Sequence, residues 1–253
     1  MDMKIETILT PTELPALAER DLRATACVVF DILRATSTFV TALHNGAQEI
    51  IPVSEIPEAV ALRQKRPAVL LAGERDGVRI RAAQTGGVDF DFGNSPREFM
   101  PDKVRGKTIV STTTNGTRAL RACLGAKCVL AASFLNLTAT ATFLHAGKFK
   151  EVLLVCAGTG ESAATEDILA AGAITELLST YASKRPETTN NTFAAKTAFF
   201  IERERLPDAL RASQNGRRLF ANPDLREDVA FCAQRDIFNL VAVMASDGSI
   251  RRA

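Results

Sequence analysis

The chain of 253 residues carries 46% hydrophobic and 24% charged side chains, the composition of a folded protein with a packed core rather than a disordered or fibrous one. A formal charge of +2 gives no bulk electrostatic reason to bind nucleic acid, and no apolar run reaches the roughly 20 residues that a membrane span needs. Its five cysteines form no Cys-x-x-Cys pair and lie mostly in apolar surroundings, and the first residues lack the apolar core of a secretion signal, so buried thiols and a cytoplasmic location are expected.

In chain order, residues 26–30 form a short β-branched run that predicts a strand, and a helix follows over 37–44, ending near Gly46. A second strand at 49–53, a helix at 55–64 and a third strand at 68–71 come next. After a long loop the alternation resumes, with strands at 108–110, 128–131 and 151–156 and helices at 116–123, 136–145 and 165–178. Strands separated by helices of this size predict βαβ units. The expected fold is α/β, a layered sandwich around a largely parallel or mixed sheet. Past Ser183-Lys184-Arg185-Pro186 the texture becomes helical and rich in Arg, Phe and Ala, with one more strand expected within 236–244. We expect one domain over 1–253, divisible into two lobes near residue 186.

Several apolar runs end abruptly in Asp, Thr, Asn or Gly, as buried strands do when they deliver loops to the carboxyl edge of a sheet, where α/β proteins bind ligands. Asp31 follows the strand at 26–30 directly, with Arg34 three positions later. A strand-end carboxylate suits a magnesium ligand or a nucleophile toward phosphorus, and the arginine suits an anionic oxygen. The same pair would also serve as a helix cap with a local ion pair. Glu74 is a second strand-end carboxylate, placed in the loop 72–96, which holds six glycine or proline positions together with Arg75, Arg79 and Arg81. Loops of this length in compact domains are commonly functional. The grouping suggests a metal site beside a site for a strongly anionic substrate, although a solvated charged turn has the same composition. Asn94 and Ser95, in Gly93-Asn94-Ser95-Pro96, could add donors from a second side.

The run Thr112, Thr113, Thr114, Asn115, Gly116, Thr117 follows a strand and opens a helix. Such a turn can aim backbone N–H groups at an anion, aided by the helix N-terminus. Gly158, Thr159 and Gly160 resemble a phosphate loop in texture, yet the segment fits neither the P-loop nor the dinucleotide pattern. Glu166 and Asp167 open the next helix, where they could bind metal, act as a base or simply complement the helix dipole. The motifs of two other phosphatase chemistries are absent. Asp31 lacks the Asp-x-Asp partner of a haloacid-dehalogenase phosphatase, no cysteine has an arginine six positions on, and His44 and His145 are isolated. Phosphoryl chemistry here would rest on carboxylates, a metal, and hydroxyl or backbone donors.

In this order and spacing, the segments Asp31-Ile32-Leu33-Arg34-Ala35-Thr36, Gly73-Glu74-Arg75, Gly93-Asn94-Ser95-Pro96, 112–117, Ser133-Phe134-Leu135-Asn136, and Cys156-Ala157-Gly158-Thr159-Gly160 with Glu166-Asp167 closely resemble the 2-phosphosulfolactate phosphatase (ComB) family of coenzyme M biosynthesis. The resemblance is strong over 25–175 and looser through Gly216-Arg217-Arg218-Leu219 and Glu227-Asp228-Val229. It departs at Ala82-Ala83-Gln84-Thr85-Gly86-Gly87 and in the arginine-rich tail. It implies a magnesium-dependent hydrolysis of (2R)-2-phospho-3-sulfolactate to 3-sulfolactate and phosphate, in an α/β fold outside the standard phosphatase folds. On that basis Asp31, Glu74, Glu166 and Asp167 are the expected Mg2+ ligands. Asp31, Arg34, Glu74 and Asn115 are the expected catalytic group, with Asp31 either a ligand or a nucleophile. Arg75 or Arg79 would receive the sulfonate, and the 112–117 and 158–160 loops the phosphate. A homodimer is expected by analogy with the family, and neither a nucleic-acid nor a membrane partner is expected.

Overall fold

A computed structural model describes residues 3–253. The chain begins with β1 (Lys4–Ile8) and a 3-10 helix (Pro11–Glu19), followed by β2 (Thr25–Phe30), α1 (Ala35–His44), β3 (Glu49–Pro52), α2 (Ile56–Lys65), β4 (Leu70–Arg75) and β5 (Val78–Arg79). The short helices α3 (Ala82–Thr85) and α4 (Pro101–Val104) lead to β6 (Thr108–Thr112), α5 (Gly116–Ala122), β7 (Cys128–Ala132), α6 (Leu137–Ala146), β8 (Glu151–Cys156) and α7 (Thr165–Tyr181). Next come β9 (Glu187–Thr188), α8 (Asn190–Glu202), α9 (Leu206–Ala212), α10 (Gln214–Ala221) and α11 (Arg226–Cys232). A hairpin of β10 (Ala242–Met244) and β11 (Ile250–Arg252) ends the chain.

The described strands join in one mixed sheet of order β5-β4-β6-β3-β11-β10-β7-β2-β8-β1-β9. It consists of two parallel wings, β4-β6-β3 and β7-β2-β8-β1-β9, with β5 antiparallel at one edge. The terminal hairpin splices them, pairing antiparallel with β7 through Ala242↔Ala131 and with β3 through Ile250↔Ile50. Traced through the hairpin, the wings run in opposite senses, so a flat sheet would send their carboxyl ends to opposite edges. Strand twist and the single-residue register at the splice let the wings turn toward each other instead. A shared core lies between them: Cys27 and Val29 of β2, Ile50 of β3 and Ile109 of β6 pack with Phe39 of α1 and Leu120 of α5. Glu49 braces the corner, its carboxylate accepting from Arg251 at 2.8 Å and from Arg66 at 3.3 Å.

Burial explains the local sequences. β2 is buried along its whole length, which is why it reads as an unbroken apolar run rather than an alternating one. α1 is buried on nearly every side, so its hydroxyls bond to backbone: Thr41 Oγ1 to Ser37 O at 2.7 Å, Ser37 Oγ to Ile32 O at 2.8 Å and Thr38 Oγ1 to Asn94 O at 2.8 Å. Outer faces are covered by α6, α7 and α8 on one wing, and by α2 around Leu71, Val110 and Phe90 on the other. No described helix is long and apolar enough to cross a membrane.

Three expectations change. The loop 72–96 is partly regular: β4 continues through Arg75 and turns back as β5, so Glu74 lies within a strand and not in a flexible loop. The two turn residues Asp76 and Gly77 have φ of +56° and +77°, the type I′ hairpin geometry that an Asp-Gly pair favours. Within 236–244 only Ala242–Met244 is strand, and β1, β9 and β11 are additions.

Candidate active site

The carboxyl ends of both wings meet at one cavity of about 230 Å³, lined by Asp31, Arg34, Glu74, Asn94, Thr114, Asn115, Thr159 and Gly160 among the expected residues, and by Leu33, Asp76, Gly77, Asn215, Arg218 and Leu219. That volume is below the roughly 300–1,000 Å³ of pockets for drug-sized ligands, which points to a small metabolite.

Asp31 is placed by the β2–α1 junction. Its Oδ1 accepts from Ala35 N at 3.0 Å, while Thr36 closes the turn by donating N–H and Oγ1 to Asp31 O at 2.9 and 3.0 Å. The same carboxylate therefore caps α1 and faces the cavity. Burial pushes its pKa up from 3.8 to about 7, opposed by the Ala35 N–H and reinforced by the nearby charges of Glu74 and Glu166. Gly116 packs against this carboxylate: a Cβ there would sit 2.7 Å from Asp31 Oδ2 and from Ala35 Cβ, so α5 approaches only as glycine.

Glu74 is held by the hairpin and by the threonine loop. Oε2 accepts from Gly77 N at 2.7 Å, and Oε1 accepts from Thr114 N and Oγ1 at 3.0 and 2.9 Å. The donors of the 112–117 loop are thus largely committed within the protein. Thr113 and Thr117 bond to each other at 3.2 Å, and Thr112 Oγ1 donates to Ser54 O at 3.1 Å. Asn115 Oδ1 accepts from Gly160 N at 3.3 Å, tying the loop after β6 to the loop after β8.

Arg34 is 3% exposed and fixed on two sides. Nη1 donates to Asp228 Oδ2 at 2.7 Å and Nη2 to Gly77 O at 2.8 Å. Asp228, wholly buried on α11, also accepts from Ser95 Oγ at 2.7 Å and lies 3.4 Å from Arg97. Ser95 accordingly braces Arg34 from behind.

Glu166 lies behind Asn215, which donates to Glu166 Oε1 at 2.7 Å and to Thr159 Oγ1 at 2.6 Å. Glu166 Oε2 is buried with no hydrogen-bond partner. Asp167 has both oxygens engaged, Oδ1 by Ile32 N at 2.8 Å and Oδ2 by Gly158 N at 3.0 Å, so it clamps the β2 and β8 loops together. Burial, then Glu166 and Asp31, raise its pKa well above the ordinary carboxylate value.

Arg75, Arg79, Ser95, Thr112, Thr113, Gly116, Thr117 and Gly158 lie outside the lining. Arg75 donates to Glu74 O and to Thr112 Oγ1, and Arg79 is paired with Glu98 at 2.7 Å. Asn215, Arg218 and Asp228 are the functional candidates that strand-end reasoning missed, because they arrive on helices. Among the described residues, no three His, Cys, Asp or Glu side chains form a preformed metal cage. Thiol chemistry has no support: burial raises Cys156 well above its ordinary value and pushes Cys232 up to about 12.

Mutually repelling acids and two guanidinium groups lining one small cavity suit hydrolytic chemistry on a small anionic metabolite, and the comparisons with known proteins agree with that class. A family model described as 2-phosphosulpholactate phosphatase matches residues 9–247. A probable 2-phosphosulfolactate phosphatase of Caldanaerobacter subterraneus is 39% identical over 231 residues, covering 89% of this chain and 90% of the relative. Proteins of the same name from Thermotoga maritima and a Synechococcus species are 39% and 35% identical, over 87% and 97% of this chain and 88% and 100% of their own lengths. The chain belongs to the 2-phosphosulfolactate phosphatase family of phosphoric monoester hydrolases.

Proposed function

We propose that this cavity hydrolyses (2R)-2-phospho-3-sulfolactate to 3-sulfolactate and phosphate with the assistance of Mg2+. The observation that carries the reading is the convergence of Asp31, Glu74 and Arg34, from both wings, on one small cavity in a chain of this family.

The charge balance supports a divalent cation. Asp31, Glu74 and Asp76 against Arg34 and Arg218 leave the lining with one negative charge in excess when all are ionised, and Glu166 and Asp228 are buried behind it. A multiply charged anion gains little there without a further positive charge. The unpartnered Glu166 Oε2, together with Asp31 and Glu74, offers oxygen ligands of the type Mg2+ takes. Mg2+ commonly uses one or two carboxylates plus substrate phosphate and water, so a three-residue cage is not required. When bound, the metal supplies charge neutralisation at the phosphoryl oxygens.

The protein's own groups do the rest. Asp31 has two roles open to it at the end of β2: as a carboxylate it would hold Mg2+, and where it is not bound to the metal, its pKa raised to about 7 by burial suits it to take the proton of the attacking water. Arg34, locked by Asp228 and Gly77 O, would present a fixed guanidinium to the phosphoryl group, and Asn115 and Thr159 line the same cavity as further polar contacts. The bond from phosphorus to the C2 oxygen breaks, water supplies the new oxygen on phosphorus, and the C2 oxygen takes up the proton that the water gave up and leaves as the hydroxyl of sulfolactate.

Phosphate release from 2-phosphosulfolactate, 2-phospholactate and p-nitrophenyl phosphate, with Mg2+ and with EDTA, tests the reading. Mg2+-dependent release favouring phosphosulfolactate is expected. Release from none of them overturns it. Labelled phosphate trapped on Asp31 would replace the base role by a nucleophilic one.

A further inference from the structure

Arg34 and Arg218 border the same cavity in opposite electrostatic states. Arg34 is buried against Asp228, and its charge is already answered. Arg218 is exposed and has no ion pair or hydrogen bond among the described residues, although the acidic Asp76 lines the same mouth. Unpaired arginines are common on open surfaces. This one is directed by a built arrangement.

α10 begins at Ser213, whose Oγ accepts from Gly216 N at 3.0 Å. Gly216 lets the helix lie directly on α9, since a Cβ there would fall 1.8 Å from Leu210 O. That seating brings Asn215, Arg218 and Leu219, spaced i, i+3 and i+4, to the cavity on one helix face. Asn215 is anchored to Thr159 and Glu166 at 2.6 and 2.7 Å, and Leu219 is buried, so the residues flanking Arg218 on this face are fixed. On the other side is the hairpin tip. A Cβ on Gly77 would stand 3.2 Å from Arg218 Nη2, while the Gly77 carbonyl accepts from Arg34. The two guanidinium groups therefore flank one glycine, Arg34 on the buried side and Arg218 toward the mouth.

We infer that Arg218 binds the second anion of the substrate, the sulfonate that is not transferred, and so sets the preference for a sulfonated over an unsulfonated phosphoester. This rests on the reading of the cavity as a phosphosulfolactate phosphatase site, and it replaces Arg75 and Arg79 in that role. A guanidinium can hold a sulfonate through two parallel N–H···O bonds, a geometry that an ammonium group reproduces only in part. A carboxylate-rich cavity with one free cation would otherwise penalise the extra negative charge.

The test is Arg218→Met and Arg218→Lys, assayed for turnover of 2-phosphosulfolactate and 2-phospholactate and for binding of 3-sulfolactate and inorganic phosphate by calorimetry. Loss of a charge-assisted contact predicts that Arg218→Met lowers kcat/KM for phosphosulfolactate about 10- to 100-fold and weakens 3-sulfolactate binding to match, with phospholactate turnover and phosphate binding changed less than about threefold. Arg218→Lys should recover part of the loss. Equal losses on both substrates, or no loss on either, would overturn the assignment. If the wild type binds sulfolactate through Arg218 yet turns over neither ester, the functional reading falls and the binding assignment stands. If the wild type turns both over and Arg218→Met keeps its preference, the reverse holds.

Discussion

The strand ends and the C-terminal helices contribute to one cavity in different ways. Asp31 and Glu74 are positioned by backbone that the sheet itself fixes: the β2–α1 junction for one, the β4–β5 hairpin for the other. Asn215, Arg218 and Asp228 come from α10 and α11, and they adjust what the sheet has assembled. Asp228 neutralises and orients Arg34, Asn215 steers Glu166, and Arg218 keeps its charge available. The comparison teaches that the strand-end carboxylates are held by donors of their own neighbouring loops, whereas the helices added later in the chain supply the partners of Arg34 and Glu166.

Breaking the sheet side should have the largest effect. Asp31→Asn is expected to reduce phosphate release by about a thousandfold or more while the far-ultraviolet circular dichroism is unchanged. Near-normal turnover would remove Asp31 from the chemistry. On the helix side, Asp228→Ala leaves the buried Arg34 charge unanswered and should cost about 3–5 kcal/mol of stability in urea unfolding. Arg218→Met, by contrast, should leave the urea midpoint in place. If the two variants were equally destabilising, the distinction between a structural and a free arginine would fail.

The pH dependence sharpens the same contrast. Asp31 has a folded pKa near 7 against 3.8 for the ordinary carboxylate, so its contribution favours the folded state below about pH 4 and is lost as pH rises toward 7. In EDTA, Asp31→Asn should therefore raise the melting temperature relative to wild type most above pH 7, with the gap shrinking as the pH falls toward 4. A gap that is constant with pH would show that Asp31 ionises without strain. The smallest expected effect is that of Gly77→Ala. It forces an L side chain to φ +77° and crowds Arg218, and should cost about 1 kcal/mol of stability. It should also bring a modest rise in KM for phosphosulfolactate.

Much of the sheet side was legible from sequence. The unbroken apolar run before Asp31 and the Val-Ser-Thr run before Asn115 encode buried strands and their exits directly. Glu74 is legible, but its setting is not. The Asp76-Gly77 hairpin signal lies inside a segment with the composition of one long loop, because β5 is only two residues long. Arg75 and Arg79 stand out by proximity to Glu74, yet alternation along β4 turns Arg75 to the opposite face, and Arg79, which lies opposite Glu74 in register, is taken by Glu98. The helix side was not legible, since the partners of Asn215 and Asp228 lie 49 and 194 residues away in the chain. A usable signal did exist in the loosely matching Gly216-Arg217-Arg218-Leu219 and Glu227-Asp228-Val229. The splice was also hidden: strands of three residues, β10 and β11, carry no period of their own and form only because β3 and β7 present free edges.

The most direct test of a metal-assisted carboxylate site is phosphate release from 2-phosphosulfolactate by wild type and Asp31→Asn, each titrated with Mg2+ from an EDTA-treated start. The account predicts saturable activation of the wild type and no activity in the variant at any Mg2+ concentration. Full wild-type activity in EDTA, or Mg2+-dependent activity retained by Asp31→Asn, would contradict it.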